Sequence, residues 1–148
     1  MQAPSSIHSY HAHIYYDPAT TRVAAEQLRE DVAARFRVQL GRWHDRPIGP
    51  HPGATYQIAF DAGLFASLVP WLMLNRRGLT ILVHPNTGRP RDDHAIYPLW
   101  MGEVLPLKLD ILPESSEEPD PIVPNTAPAQ NEQGKDSNDG SREVLQHP

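Results

Sequence analysis

An α+β fold, an antiparallel sheet with two helices on one face, is predicted by three observations. Apolar residues alternate or run continuously over four short stretches. They recur with helical spacing over two longer ones. The two kinds of stretch follow each other as strand, helix, strand, strand, helix, strand, with turn-forming residues between them. No internal repeat or second domain interrupts the 148 residues.

The first strand is expected over 7–16, where β-branched and aromatic residues dominate Tyr10-His11-Ala12-His13-Ile14-Tyr15-Tyr16. Alternation puts Tyr10, Ala12, Ile14 and Tyr16 on a core face and His11, His13 and Tyr15 on the other. Asp17-Pro18 is a turn, and Thr20 or Thr21 is placed to cap the helix that follows. That helix spans about 20–37, with Ala24, Leu28, Val32 and Phe36 on its apolar side. Residues 37–44 read as a second strand. Residues 45–53 contain three prolines and two glycines, which makes a stiff loop that fixes His51.

Ala54 to Phe60 alternates as a third strand, and Asp61 is placed to cap a second helix running to Asn75. The apolar side of that helix is read as Leu64, Leu68, Trp71, Leu72 and Leu74, with Pro70 kinking it or marking its first turn. Residues 79–83 suit a central strand that ends at His84. A turn at 85–88 and a polar loop at 89–93 lead to His94. Residues 98–104 form a short segment, and 105–112 a terminal strand or a packed arm. The βαββαβ order is the ferredoxin-like one, with both helices on one face of the sheet. His11, His13 and His84 belong to the face the helices leave free. An open face of this kind predicts a homodimer.

Charge divides the chain. Residues 113–148 hold eight acidic and two basic side chains, against ten and eleven in residues 1–112. The first 112 residues are therefore read as the folded domain and 113–148 as an acidic, disordered tail. A nearly neutral domain offers no electrostatic footprint for nucleic acid. The sequence has no signal-peptide pattern and no membrane-length apolar run, which predicts a cytoplasmic protein without a membrane partner. The absence of cysteine excludes disulfides, thiolate ligands and cysteine nucleophiles. No nucleophile elbow or phosphate-binding glycine loop supports serine hydrolysis or phosphoryl transfer.

Histidine is the outlier, with seven of eight copies in the first 112 residues. A lone histidine is more often a surface or core residue than a ligand. His11, His13, His51, His84 and His94, however, all sit at strand positions, strand ends or stiff loops. Three imidazoles, or two with a carboxylate from Asp92, Asp93 or Glu103, suit Zn(II) or Fe(II) with open positions. Arg42, Arg46, Arg89 and Arg91 are candidates for a substrate carboxylate, and Tyr15, Tyr56 and Trp43 for an aromatic wall.

Six motifs, taken together and in order, resemble the DOPA 4,5-dioxygenase family. They are His11-Ala-His13-Ile-Tyr, Arg42-Trp-His44, Pro47-Ile-Gly49-Pro50-His51-Pro52, Trp71-Leu-Met-Leu-Asn75-Arg76, Leu82-Val-His84-Pro85-Asn-Thr87-Gly88, and Asp93-His94 with Trp100-Met-Gly102. The resemblance covers about residues 8–112. It implies a ferredoxin-like fold and extradiol cleavage of L-DOPA or a related catechol by Fe(II) and dioxygen, with a betalamic-acid-type product. It carries His11, His13, His51, His84 and His94 into the site without ranking them. We expect His11, His51 and His84 to hold the iron. His13 and His94 are expected as acid–base groups, and Arg42, His44 and Tyr15 as substrate contacts. The contrasting expectation is a non-catalytic protein of the same fold that binds a metal or an aromatic ligand.

Overall fold

The computed structural model of the chain describes residues 1–128. Its elements are β1 (Ser9–Tyr16), α1 (Arg22–Arg35), β2 (Gln39–Leu40), β3 (Ala54–Asp61), α2 (Phe65–Asn75), β4 (Ile81–Pro85), α3 (Pro90–Ala95) and β5 (Leu99–Met101). Short 3-10 turns lie at Pro4–Ser6, Ala62–Leu64 and Leu109–Ile111. The five strands form one sheet in the order β2-β3-β1-β4-β5, every pair antiparallel. The fold is α+β and ferredoxin-like, extended by β5 on one edge.

Alternation along β1 sets the layers. Ala12, Ile14 and Tyr16 pack with Tyr56, Ile58 and Phe60 of β3 and Ile81 and Val83 of β4. Ala25, Leu28 and Val32 of α1 and Leu68, Val69 and Leu72 of α2 close this core from above. Tyr56 reaches out of the sheet and donates to Ala25 O at 2.9 Å, which satisfies the polar end of an otherwise apolar side chain. Among the described residues, no helix is long and apolar enough to cross a membrane.

Several elements depart from the sequence reading. Thr21 is the residue before α1, but its hydroxyl accepts from Asp17 N–H at 2.7 Å and makes no bond into the helix. Asp61 leads into the Ala62–Leu64 turn without capping it. Leu74 is 85% exposed, because six residues beyond Leu68 a helix has turned about 240°. Val69 takes the place in the core that Leu74 was given. The second strand shrinks to two residues, followed only by an isolated bridge between His44 and Thr55. The polar loop at 89–93 lies largely within α3, with Pro90 in the first turn where a missing N–H costs nothing.

The face expected to be open is buried. Tyr15, Thr55, Ala59 and Leu82 all point to it and are at most 6% exposed. The homodimer expectation rested on this face, where His11, Gln57 and Trp100 still keep intermediate exposure among the described residues. The stretch 105–112 packs as an arm, with Lys108 N–H donating to Pro50 O.

The first part of the acidic segment is tied to the fold. Asn125 bridges both polar groups of Leu40, and Thr126 joins Val38 and Phe36. Composition does not report such bonds, since two side chains along the β2 edge suffice to make them. The remaining residues of the expected tail, 129–148, lie outside the described residues.

Candidate metal centre

Three strand positions and two connections bring five imidazoles together. His11 and His13 alternate with core residues on β1. Antiparallel register sets His84 of β4 directly opposite His11. His51 arrives from the proline-rich loop, and its N–H is fixed to Ile48 O at 3.0 Å. His94 arrives from α3. The His13 and His84 rings stack with centroids 5.1 Å apart, and their Nε2 atoms are 3.0 Å apart. His51 lies 4.2 Å from His13, and His94 4.0 Å from His84, between ring centroids.

The ligand atoms of His11, His13 and His84 all lie within 4.8 Å of one another. This set differs from the expected His11, His51 and His84. His13 enters because β1 projects it beside His84. His51 is drawn aside, its Nδ1 engaged at 2.5 Å by the Tyr15 hydroxyl. Tyr15 in turn stacks on Trp100, with ring centroids 6.0 Å apart.

The protonation states suit a cation. Burial, helped by His94, lowers His11 from 6.5 to about 4. Burial, helped by neighbouring imidazoles, holds His13 and His84 well below the ordinary value. Burial likewise lowers His51 to about 4 and depresses His94. Neutral rings offer lone pairs. The carbonyls behind them fix which nitrogen is bare: His84 Nδ1–H donates to Pro85 O at 2.9 Å, and His94 Nδ1–H to Pro90 O at 2.7 Å. A backbone carbonyl behind the ring is the usual partner of a ligating imidazole. Two nitrogens on adjacent vertices of a six-coordinate ion with bonds of about 2.1 Å stand about 3 Å apart, the separation seen between His13 and His84. The donor set therefore fits a divalent metal.

The other expected site residues are placed as follows. His44 pairs with Thr55, which faces Tyr15 across the β1–β3 ladder. Arg42 is exposed, and nothing among the described residues joins it to the imidazoles. Asp92 pairs with Arg89 at 2.8 Å, and Glu103 is exposed. Both carboxylate oxygens of buried Asp93 are used by Thr87, at 3.0 Å to its N–H and 2.5 Å to its hydroxyl. Leu82 shares the parity of His84 along β4, as the alternation predicts, and pairs across the ladder with Trp100 of β5, which was not assigned to this face from sequence.

The model of the Dopa 4,5-dioxygenase family matches residues 10–111, which contain all five imidazoles. The chain belongs to the Dopa 4,5-dioxygenase family. It is 39% identical over 122 residues to the DOPA 4,5-dioxygenase of Amanita muscaria, an alignment covering 77% of this chain and 54% of that protein. An uncharacterized 21.2 kDa protein of Botryotinia fuckeliana is 36% identical over 115 residues, covering 70% of this chain and 63% of its own. The chain thus spans little more than half the length of the Amanita relative. A crystal structure of a proposed dioxygenase from Nostoc punctiforme superposes with a TM-score of 0.73 at 52% identity, over 75% of this chain and 96% of that one.

Proposed function

We propose that this member of the Dopa 4,5-dioxygenase family is a non-haem iron extradiol dioxygenase. It opens the ring of L-DOPA or a related catechol with dioxygen. The reading is supported by membership of the family and by the name of the Amanita relative. The observation that carries it is the convergence of His11, His13 and His84 within 4.8 Å, beside two further imidazoles and a tyrosine that can move protons.

His11, His13 and His84 would hold Fe(II). The ion supplies Lewis acidity toward a catechol hydroxyl and the one-electron chemistry that dioxygen requires. The chain's own groups do the rest. His94 has Nδ1–H committed to Pro90, so its bare Nε2 accepts a proton from the substrate and can return it later. Tyr15 and His51 form a second proton-carrying pair. Burial raises the Tyr15 phenol above its ordinary value, so it keeps its proton and donates to His51 Nδ1. Trp100, stacked on Tyr15, offers an apolar ring face for an aromatic substrate. Both oxygen atoms enter the product as the ring bond beside the diol breaks. With L-DOPA, 4,5-cleavage yields a product that cyclises to betalamic acid.

Oxygen uptake by Fe(II)-reconstituted protein with L-DOPA, dopamine and 3,4-dihydroxyphenylacetate tests the reading. Stoichiometric uptake with a new yellow chromophore is expected for at least one of them. No uptake with any catechol, in protein that binds the metal, would leave the non-catalytic binding role instead.

A further inference from the structure

The geometry points to Asp93 as a positioning residue. Its carboxylate clamps α3 to the turn that leaves β4, and so sets where His94 stands relative to His84. The inference rests on the dioxygenase reading for its kinetic consequence, but not for its structural one.

Asp93 is 3% exposed and has no cationic partner among the described residues. Its two oxygens take the backbone N–H and the hydroxyl of Thr87. Thr87 lies three residues beyond His84, and Asp93 is the residue before His94. One carboxylate therefore ties together the two chain segments that deliver His84 and His94, whose tilted rings lie 4.0 Å apart between centroids. Both oxygens point at Thr87, so Asp93 serves neither as a metal ligand nor as a base toward the cluster.

The two segments differ in what else holds them. β4 is fixed by ladders to β1 on one side and β5 on the other. α3 has six residues, too few to be stable alone. Besides the Asp93 clamp it is held by Arg91, whose side chain donates to Leu112 O and whose N–H donates to Pro113 O. Releasing the clamp should thus move α3 and His94, while His84 and the rest of the metal set stay in place. A catalytic group misplaced by about 1 Å can cost up to roughly a hundredfold in rate.

The test uses the full chain with Asp93→Ala, Asp93→Asn and Thr87→Val. Imidazole ¹⁵N–¹H spectra of the metal-free proteins report His94 directly, without reference to catalysis. Co(II) titration reports the metal set. Kinetics with the best catechol report the consequence. Asp93→Ala should shift or broaden the His94 signals, leave one Co(II) bound per chain, and lower kcat by up to roughly a hundredfold with little change in KM. Combined with His94→Gln it should cost no more than His94→Gln alone. Asp93→Asn keeps an acceptor for the Thr87 N–H and should restore most of the activity. Unchanged His94 signals in Asp93→Ala would overturn the clamp, and so would loss of Co(II). If Asp93→Ala does not fold, Thr87→Val decides, since it removes one of the two bonds and should disturb His94 alone. If His94→Gln keeps full activity, the role given to His94 fails, while the spectra still judge the clamp.

Discussion

His13 and His84 meet Nε2 to Nε2 at 3.0 Å across 71 positions of sequence. The β1–β4 ladder makes this contact, pairing His11 with His84 and His13 with Leu82. A slip of one residue in that register would turn the histidines of one strand toward the helices and separate His13 from His84. The His11, His13 and His84 set is therefore a property of the sheet, which places candidate ligating groups on rigid elements, while His51 and His94 are brought by a loop and by α3.

Neutral imidazoles packed together make the metal-free protein acid-sensitive. In the unfolded chain each takes a proton near 6.5, whereas His11 and His51 resist until about 4, because of burial and then of neighbouring His94. The unfolded state thus binds more protons between these values. Stability is complete above pH 6.5 and is lost as pH falls toward 4. The slope is about 1.4 kcal/mol per pH unit for each histidine that titrates. Urea titrations with chelator at pH 7.5, 6.0 and 5.0 should show a midpoint that falls at each step.

Tyr15→Phe leaves the Trp100 stack but removes the hydroxyl on His51 Nδ1. Turnover should fall by about a hundredfold, in the range of general acid–base contributions. Metal stoichiometry should be unchanged. Metal analysis alongside oxygen-electrode rates checks both. Loss of metal in this variant would move Tyr15 and His51 into the ligand set.

Leu72 and Leu74 sit two residues apart on α2 with opposite environments, 0% and 85% exposed. Leu72→Ala should cost about 2–5 kcal/mol. Leu74→Ala should stay within about 0.5 kcal/mol of the parent. Chemical denaturation of the two variants compares them directly.

Much of the fold was legible in the sequence because period two and period 3.6 are hard to confuse over eight or more residues. β1 and β3 fall near their expected bounds, and the helical faces around Leu28 and Leu68 are the buried ones. What escaped depended on distant partners. α3 looked like a polar loop because its single turn holds Asp92, Asp93 and two arginines within or next to it. Pro90 in the first turn, with acids following it, was the available helix signal. Convergence of His11, His51, His84 and His94 followed from strand ends and a stiff loop. The closeness of His13 to His84 did not, because it depends on the β1–β4 register, nor did the Tyr15 hydroxyl that occupies His51 Nδ1. A carboxylate near the site invited a ligand role for Asp93, and only its bonds to Thr87 remove it.

Anaerobic Fe(II) titration of the purified chain, read as bound metal per chain for the parent and for His13→Ala, His51→Ala and His84→Ala, tests the ligand set most directly. One ion is expected in the parent and in His51→Ala, and almost none in His13→Ala and His84→Ala. Full retention of iron by His13→Ala and His84→Ala, or no binding by the parent, would contradict the metal centre built here on β1 and β4.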